Sequence, residues 1–424
     1  MERTYLAVSV NNVVYTVNAF RPTKRNMVFF GWSFFASWIT IELAWFHLVW
    51  QVLFTGYAVR RGALKTTAGR VGFALNLVSW AGLGVMVWRS LGARREVHAV
   101  FKADGASGSF GREVRKRSTP KIKTRRIRNV PFSRVAGKTL KLDVWQPAER
   151  AERGVKRPAV IQIHGGGWVI GDKREQGLPF LKHLAEHGWV GFNVNYRLSP
   201  SATFPEHLID VKQAIAWVRE HADEYDVDPN FIAVTGGSAG GHLTALVGLT
   251  ANQPELQPGF EDADTSVQAA VPFYGVYDFT NRSGYYPDNV VPKFLGPVVV
   301  KAFIDDEPEK FAAASPLDQI HADAPPFLVI HGDLDTLAPV EGARDFADEL
   351  RAVSKAPVLY IELKGAQHAF EIFPSLRANQ VLHGARHFLE TIYASALEGR
   401  DAEDIPTEDL IEAIDPEVAE TVAS

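Results

Sequence analysis

Six residues, Gly236-Gly237-Ser238-Ala239-Gly240-Gly241, separate the apolar run FIAVT at 231–235 from the apolar run HLTALV at 242–247. The first run has the length and composition of a buried strand, and the second continues as a helix. A G-x-S-x-G sequence at such a junction forces a sharp strand-to-helix corner that pushes the serine hydroxyl clear of the backbone. The helix that starts behind the serine also directs free N–H groups at any anion forming beside it. Glycines two before and two after leave room for a close approach of helix and strand. The pentapeptide alone is common, so its chemistry depends on what the rest of the chain places around it.

Residues 129–397 repeat the strand-then-helix pattern. Strands are predicted at 138–144, 159–163, 190–195, 231–235, 268–273, 327–330 and 358–362, and helices at 177–187, 206–221, 240–250, 340–353 and 376–397. This alternation implies an α/β fold, a mostly parallel sheet flanked by helices, with its ligand site at the carboxyl ends of the strands. Three further motifs fall at such ends. His164-Gly165-Gly166-Gly167-Trp168 follows the run PAVIQI, where consecutive glycines can present backbone N–H groups to a tetrahedral oxyanion. Each such donor is worth about 2.7–4 kcal/mol of barrier. A phosphate-cradling reading fails because neither a Gly-Lys-Ser/Thr ending nor G-x-G-x-x-G spacing is present. The run FLVIHGDLDTLAP at 327–339 breaks from a strand into a loop with two acids, Asp333 and Asp335, either of which can hold a histidine in its useful tautomer. A helix starting after Pro339 makes Asp333 a turn-former and leaves Asp335 to face the site. His368 stands on a loop after Gly365, following the last strand. Serine, acid and histidine in this chain order, each just past a strand, suit nucleophilic acyl transfer.

The remainder of the 424 residues narrows the setting. A net charge of -4 argues against nucleic acid as a partner. The absence of cysteine removes disulfides, thiolate metal sites and a cysteine nucleophile. Mean hydropathy is -0.07, but six of the ten tryptophans fall in the first ninety residues. The stretch 27–54 is largely apolar, with Glu42 its only acidic residue and no Lys or Arg, and 71–88 is a second apolar run containing Gly72, Gly82 and Gly84. Length and the lack of a polar face predict a membrane-embedded helical hairpin, with Glu42 paired to His47 or to a residue of the second helix. A cleaved signal peptide is not expected. Residues 112–128 hold nine Lys/Arg and one acid, the pattern of a strip lying on anionic headgroups, whereas 398–424 holds ten carboxylates and one arginine, the pattern of a solvated tail. The positive charges flanking the outer ends of the hairpin place the catalytic domain on the cytoplasmic side. The domain reading is therefore an N-terminal segment (1–26), the hairpin (27–90), a basic linker (91–128), a catalytic domain (129–397) and an acidic tail (398–424).

The motifs HGGGW, G-x-S-A-G-G, HGDxD and GxxHxF, with NYRLSP at 195–200 and FPEHLID at 204–210, resemble the hormone-sensitive-lipase-like (bacterial family IV) group of α/β-hydrolase esterases. The resemblance covers roughly 129–397. It implies Ser238 as nucleophile, His368 as base and then acid, Asp335 as the orienting acid, and an oxyanion hole from the N–H groups of Gly165, Gly166 and Ala239. It also implies a structural Arg197–Asp210 ion pair and no metal or organic cofactor. The chain departs from the group at Gly237, where an acid is usual, and in having the apolar hairpin where a soluble cap is usual. Residues 274–315, with Tyr277, Tyr285, Tyr286 and Phe294, are expected to form a lid, and Trp168, Tyr274 and Tyr277 to line the substrate pocket. The expected function is hydrolysis of short- to medium-chain or lipid carboxylic esters. The alternatives are an amidase or peptidase on the same triad, or a non-catalytic hydrolase-fold binding protein.

Overall fold

The structure, a computed structural model, describes residues 2–23, 27–104, 121–152, 154–286 and 290–399. The expected acidic tail beyond 399 and residues 112–120 of the basic strip lie outside that set. The chain divides into two compact units: one holds Met1–Val97 with the loops His331–Val340 and Glu362–Val381, and the other holds the rest.

The larger unit is built on an eight-stranded sheet. Its strands are β1 (Thr124–Val135), β2 (Lys138–Pro147), β3 (Arg157–Ile163), β4 (Val190–Val194), β5 (Val227–Gly237), β6 (Ala269–Phe273), β7 (Phe327–Gly332) and β8 (Val358–Leu363), in spatial order β1-β2-β4-β3-β5-β6-β7-β8. Strand β2 pairs antiparallel with β1 on one side and with β4 on the other, while β4, β3, β5, β6 and β7 pair in parallel. Strands β4, β6 and β7 are buried at every residue, as central parallel strands covered on both faces must be. After β3 the chain adds β4 on one side and then returns to lay β5 on the other, so the loops leaving β3 and β5 diverge at a topological switch point. Ile163 lies opposite Gly236 there.

Of the observed strands only β1 is absent from the sequence expectation, because its sequence TRRIRNVPFSRV carries the basic charge of the headgroup strip. Charge and proline suit an exposed sheet edge. At the carboxyl end of the strip the Arg126 guanidinium bonds Asp143 at 2.7 and 3.0 Å, while Lys121, Lys123, Arg125 and Arg128 are exposed. Arg197 and Asp210 form the expected ion pair, with Nη2 and Nε 2.8 Å from the carboxylate and the Arg197 backbone N–H adding a third bond at 2.8 Å.

The smaller unit contains α1 (Glu2–Phe20), α2 (Met27–Glu42), α3 (Ala44–Arg60) and α4 (Thr67–Asp104). The first apolar stretch is not one straight helix: α2 and α3 meet at an 84° bend. The second run belongs to the far longer α4, of which Thr67–Lys102 is apolar and long enough to cross a membrane. Polar groups point inward. Asn76 donates to Tyr5, Ser9 and Thr55 at 3.0–3.1 Å, and Thr16 bonds Ser79 at 2.8 Å. Large apolar groups point outward, among them Leu53 (67% exposed), Trp88 (62%) and Val78 (60%). This inverts the pattern of a helix packed in water.

Asp210 is fully buried, so Asp210→Ala removes three of the bonds that hold Arg197 and leaves Glu206 as the partner of its guanidinium. The expected loss of stability is about 3–5 kcal/mol, read as a lower denaturation midpoint. A change under about 1 kcal/mol would show the pair to be dispensable.

Candidate active site

Helices α5 (Leu178–Ala185) and α6 (Glu206–Glu220) precede strand β5, which ends at Gly237, and α7 (Ala239–Leu249) starts just after Ser238. Ser238 has φ 59° and ψ -122°, a strained conformation for a residue with a side chain, held in part by its N–H donating to Phe273 O at 3.0 Å. The corner tolerates no side chain at Gly240, where a Cβ would lie 2.1 Å from Ile163 O. At Gly237 a Cβ would lie 2.5 Å from the Tyr274 hydroxyl. That contact explains the missing acid: the Tyr274 ring already fills the space a carboxylate there would need.

The loop after β3 runs beside this corner, because a Cβ on Gly165 would lie 3.0 Å from the Ser238 Cβ. Gly166, Gly167 and Trp168 all take positive φ (116°, 59° and 62°), which turns the backbone sharply. The Tyr196 hydroxyl donates to His164 O at 3.0 Å and its ring stacks on the imidazole. One expected oxyanion donor is corrected here: Gly165 N–H donates to Gln176 Oε1 at 2.7 Å and is already engaged. Gly166 N–H and Ala239 N–H, the latter at the first turn of α7, make no such bond among the described residues.

Trp168 is buried rather than lining open space: its indole N–H donates to His242 Nδ1 at 3.2 Å, and His242 Nε2 bonds Ala314 O at 2.7 Å. Tyr277 likewise stacks on Phe346 in the core, 4.5 Å between ring centres. In the 274–315 segment, Phe294 approaches the glycine loop, 3.4 Å from a Cβ placed on Gly167, whereas Tyr285 is 42% exposed.

In the other unit the choice between the two acids is resolved by geometry. Asp335 Oδ2 accepts from His368 Nδ1 at 2.6 Å and lies 3.2 Å from His331 Nε2, while Oδ1 accepts from Leu337 N and Ala338 N, each at 2.8 Å. Asp333 instead accepts from Gly365 N at 2.6 Å and ties the two loops together. Burial alone would raise the Asp335 pKa, but His368, His331 and their hydrogen bonds hold it well below the usual carboxylate range. The Gln176 contact to Gly165 and the packing of Tyr274 on Gly237 carried no sequence signal, since each joins residues outside any one motif, whereas His331 stands within the HGDxD run, four residues before Asp335. Glu42 carried a signal, but its partner did not. It accepts from Ser375 Oγ at 2.8 Å and from Arg377 Nη1 at 2.5 Å, which overturns the expected pairing with His47 or the second helix.

The parallel sheet, the strained serine corner and the acid–histidine pair define an α/β hydrolase. A family model described as BD-FAE matches residues 142–350. The chain is 39% identical to a probable carboxylic ester hydrolase, LipM, of Mycobacterium tuberculosis over 420 residues, covering 93% of this chain and 95% of that one. It is 46% identical over 255 residues to esterase LipC of the same organism, covering 60% and 62%. Among solved structures, butyrate-bound esterase 2 of Thermogutta terrifontis aligns at TM-score 0.52 and 26% identity over 64% of this chain and 94% of that one. The same enzyme phosphorylated by paraoxon aligns at 0.51 and 27%, over 66% and 98%. The chain belongs to the hormone-sensitive-lipase-like family of α/β-hydrolase esterases.

Burial lowers the pKa of His242 from its ordinary 6.5 to about 3, so the imidazole stays neutral in the fold. Below pH 6.5 the unfolded chain binds a proton there that the folded protein refuses. The stability tied to the neutral ring is therefore full above pH 6.5 and declines as pH falls toward 3, by up to about 1.4 kcal/mol per pH unit. Denaturant midpoints measured from pH 7 to 4.5 are expected to fall less steeply in His242→Gln than in the wild type. Equal slopes would contradict a neutral buried ring.

Proposed function

We propose that Ser238, His368 and Asp335 are the triad of a membrane-bound serine esterase. The observation that carries the reading is the saturated Asp335 carboxylate bonded to His368 Nδ1, which leaves Nε2 as the nitrogen that takes a proton. In the first step Ser238 Oγ attacks the ester carbonyl carbon as its proton passes to Nε2, and the tetrahedral oxyanion is met by Gly166 N–H and Ala239 N–H. Collapse breaks the ester C–O bond, and the alcohol leaves with the proton from Nε2. Water then repeats the sequence on the acyl-enzyme, releasing the acid and free serine.

Carboxylic esters of short to medium acyl chain, lipid esters included, are the proposed substrates. Support comes from the esterase names of LipM and LipC and from the butyrate-bound T. terrifontis enzyme. Membrane attachment is supported by α4 and by the outward apolar, inward polar pattern of the N-terminal helices. The positive charges flanking the apolar stretches favour the cytoplasmic face for the catalytic domain.

A fluorophosphonate probe is expected to label the wild type and not Ser238→Ala; equal labelling would remove the nucleophile assignment. Asp335→Asn is expected to lower kcat on the order of 10⁴-fold by presenting the wrong histidine tautomer. Turnover of p-nitrophenyl esters should exceed that of matched anilides and peak at short or medium chains. Anilide rates equal to the ester rates would overturn the esterase reading. Alkaline carbonate should leave the protein in the membrane pellet, and full release would exclude a spanning helix.

A further inference from the structure

His368 sits between two residues that are each tied to helix α2. Gln367, immediately before it, is fully buried. Its amide oxygen accepts from Thr336 N at 2.9 Å, from Thr336 Oγ1 at 3.3 Å and from His368 N at 2.9 Å. Its amide nitrogen donates to Ser37 Oγ at 2.9 Å, and Ser37 in turn donates to Phe34 O at 2.9 Å. One side chain thus joins the loop of the acid, the loop of the base and α2. Ala369, immediately after the histidine, has φ 58°, a conformation that a residue with a side chain keeps only when its surroundings impose it. Its carbonyl accepts from Trp38 Nε1 at 3.0 Å. The Phe34 ring meets the His368 imidazole edge-on, 6.4 Å between centres. Beyond the histidine, Ser375 and Arg377 bind Glu42 at the end of α2, and Arg377 Nη2 returns to Lys364 O at 3.2 Å.

An anchor needs none of these bonds. Helix α2 faces the loop with Ser37 and Glu42, both buried, and turns Trp32, Phe35 and Ile39 outward. A general base must hold its ring within a fraction of an ångström of the productive position, and partners one bond removed supply that restraint. We propose that Gln367, with Ser37 and Trp38 of α2, are positioning residues for His368, so that the N-terminal helical segment is part of the catalytic apparatus. The inference rests on the triad reading above.

The test uses the full-length protein in detergent micelles, with active sites counted by fluorophosphonate labelling and kcat and KM measured on p-nitrophenyl butyrate. Gln367→Met, similar in size but without the amide acceptor, is expected to lower kcat per labelled site roughly 10–100-fold with KM within about twofold. Ser37→Ala is expected to lower it roughly 3–10-fold, and Ser37→Thr, which keeps the hydroxyl, to restore it to within about twofold of wild type. Unchanged kcat per labelled site in Gln367→Met and Ser37→Ala would overturn the proposal. So would a Ser37→Thr enzyme as slow as Ser37→Ala, because the hydroxyl would then not be the operative group. A loss confined to the number of labelled sites, with kcat per site intact, would show a folding role only and would also overturn it. Failure of the triad reading is separately visible, as labelling of Ser238→Ala equal to the wild type.

Discussion

Strands β3 and β5 lie side by side with Ile163 opposite Gly236, and there is no room between them and α7 for a side chain at Gly240. Much of the larger unit's chemistry depends on this close approach. It brings the glycine loop beside the serine corner, fixes the strained backbone of Ser238, and starts α7 with its free N–H groups beside the hydroxyl. The positive φ values at Gly166, Gly167 and Trp168 follow from the same crowding, because the chain must turn back within a few residues of a buried strand. Trp168 then becomes a core residue bonded to neutral His242, and the loop acquires a rigid floor.

The Asp335–His368 pair depends on a different constraint. Asp335 accepts two backbone bonds and two histidine contacts, a full set for a buried carboxylate, so its charge is stabilised without solvent. The loops bearing Asp335 and His368 belong to the same compact unit as α1–α4. Those helices bury hydroxyls and amides and expose tryptophan, leucine and valine, which suits lipid outside and a hydrogen-bonded seam inside. In a family defined by its catalytic domain, the segment that would otherwise be read as an anchor supplies bonds on both sides of the histidine.

Strand–helix alternation, the serine corner and the glycine loop were legible because each is a contiguous pattern whose physics is local. Strand β1 was not, since arginine-rich sequence reads as a surface strip until Asp143 and the sheet edge are seen to receive it. The choice of Asp335 over Asp333 stayed open on chemistry alone, and the two differ only in which backbone and side-chain groups surround them. The family resemblance implies Gly165 as an oxyanion donor, as a glycine after a strand can be. Its N–H is instead taken by Gln176, eleven residues on, a contact without any motif.

The fold class, and the chain order of the glycine loop, the serine corner and the loops bearing the two aspartates and His368, follow from the sequence alone, because periodicity and short motifs encode them within a few residues. What only the tertiary structure decided is which partners each polar group meets. Glu42 reads from sequence as an intramembrane carboxylate in need of a nearby partner, and that partner is Arg377, at the start of the helix Leu376–Glu398 and 335 residues away. Ser37 and Gln367, 330 residues apart, gave no signal at all. A hydrogen bond depends on atoms a few ångströms apart, and for residues so distant in the chain that proximity exists only once the whole unit has packed.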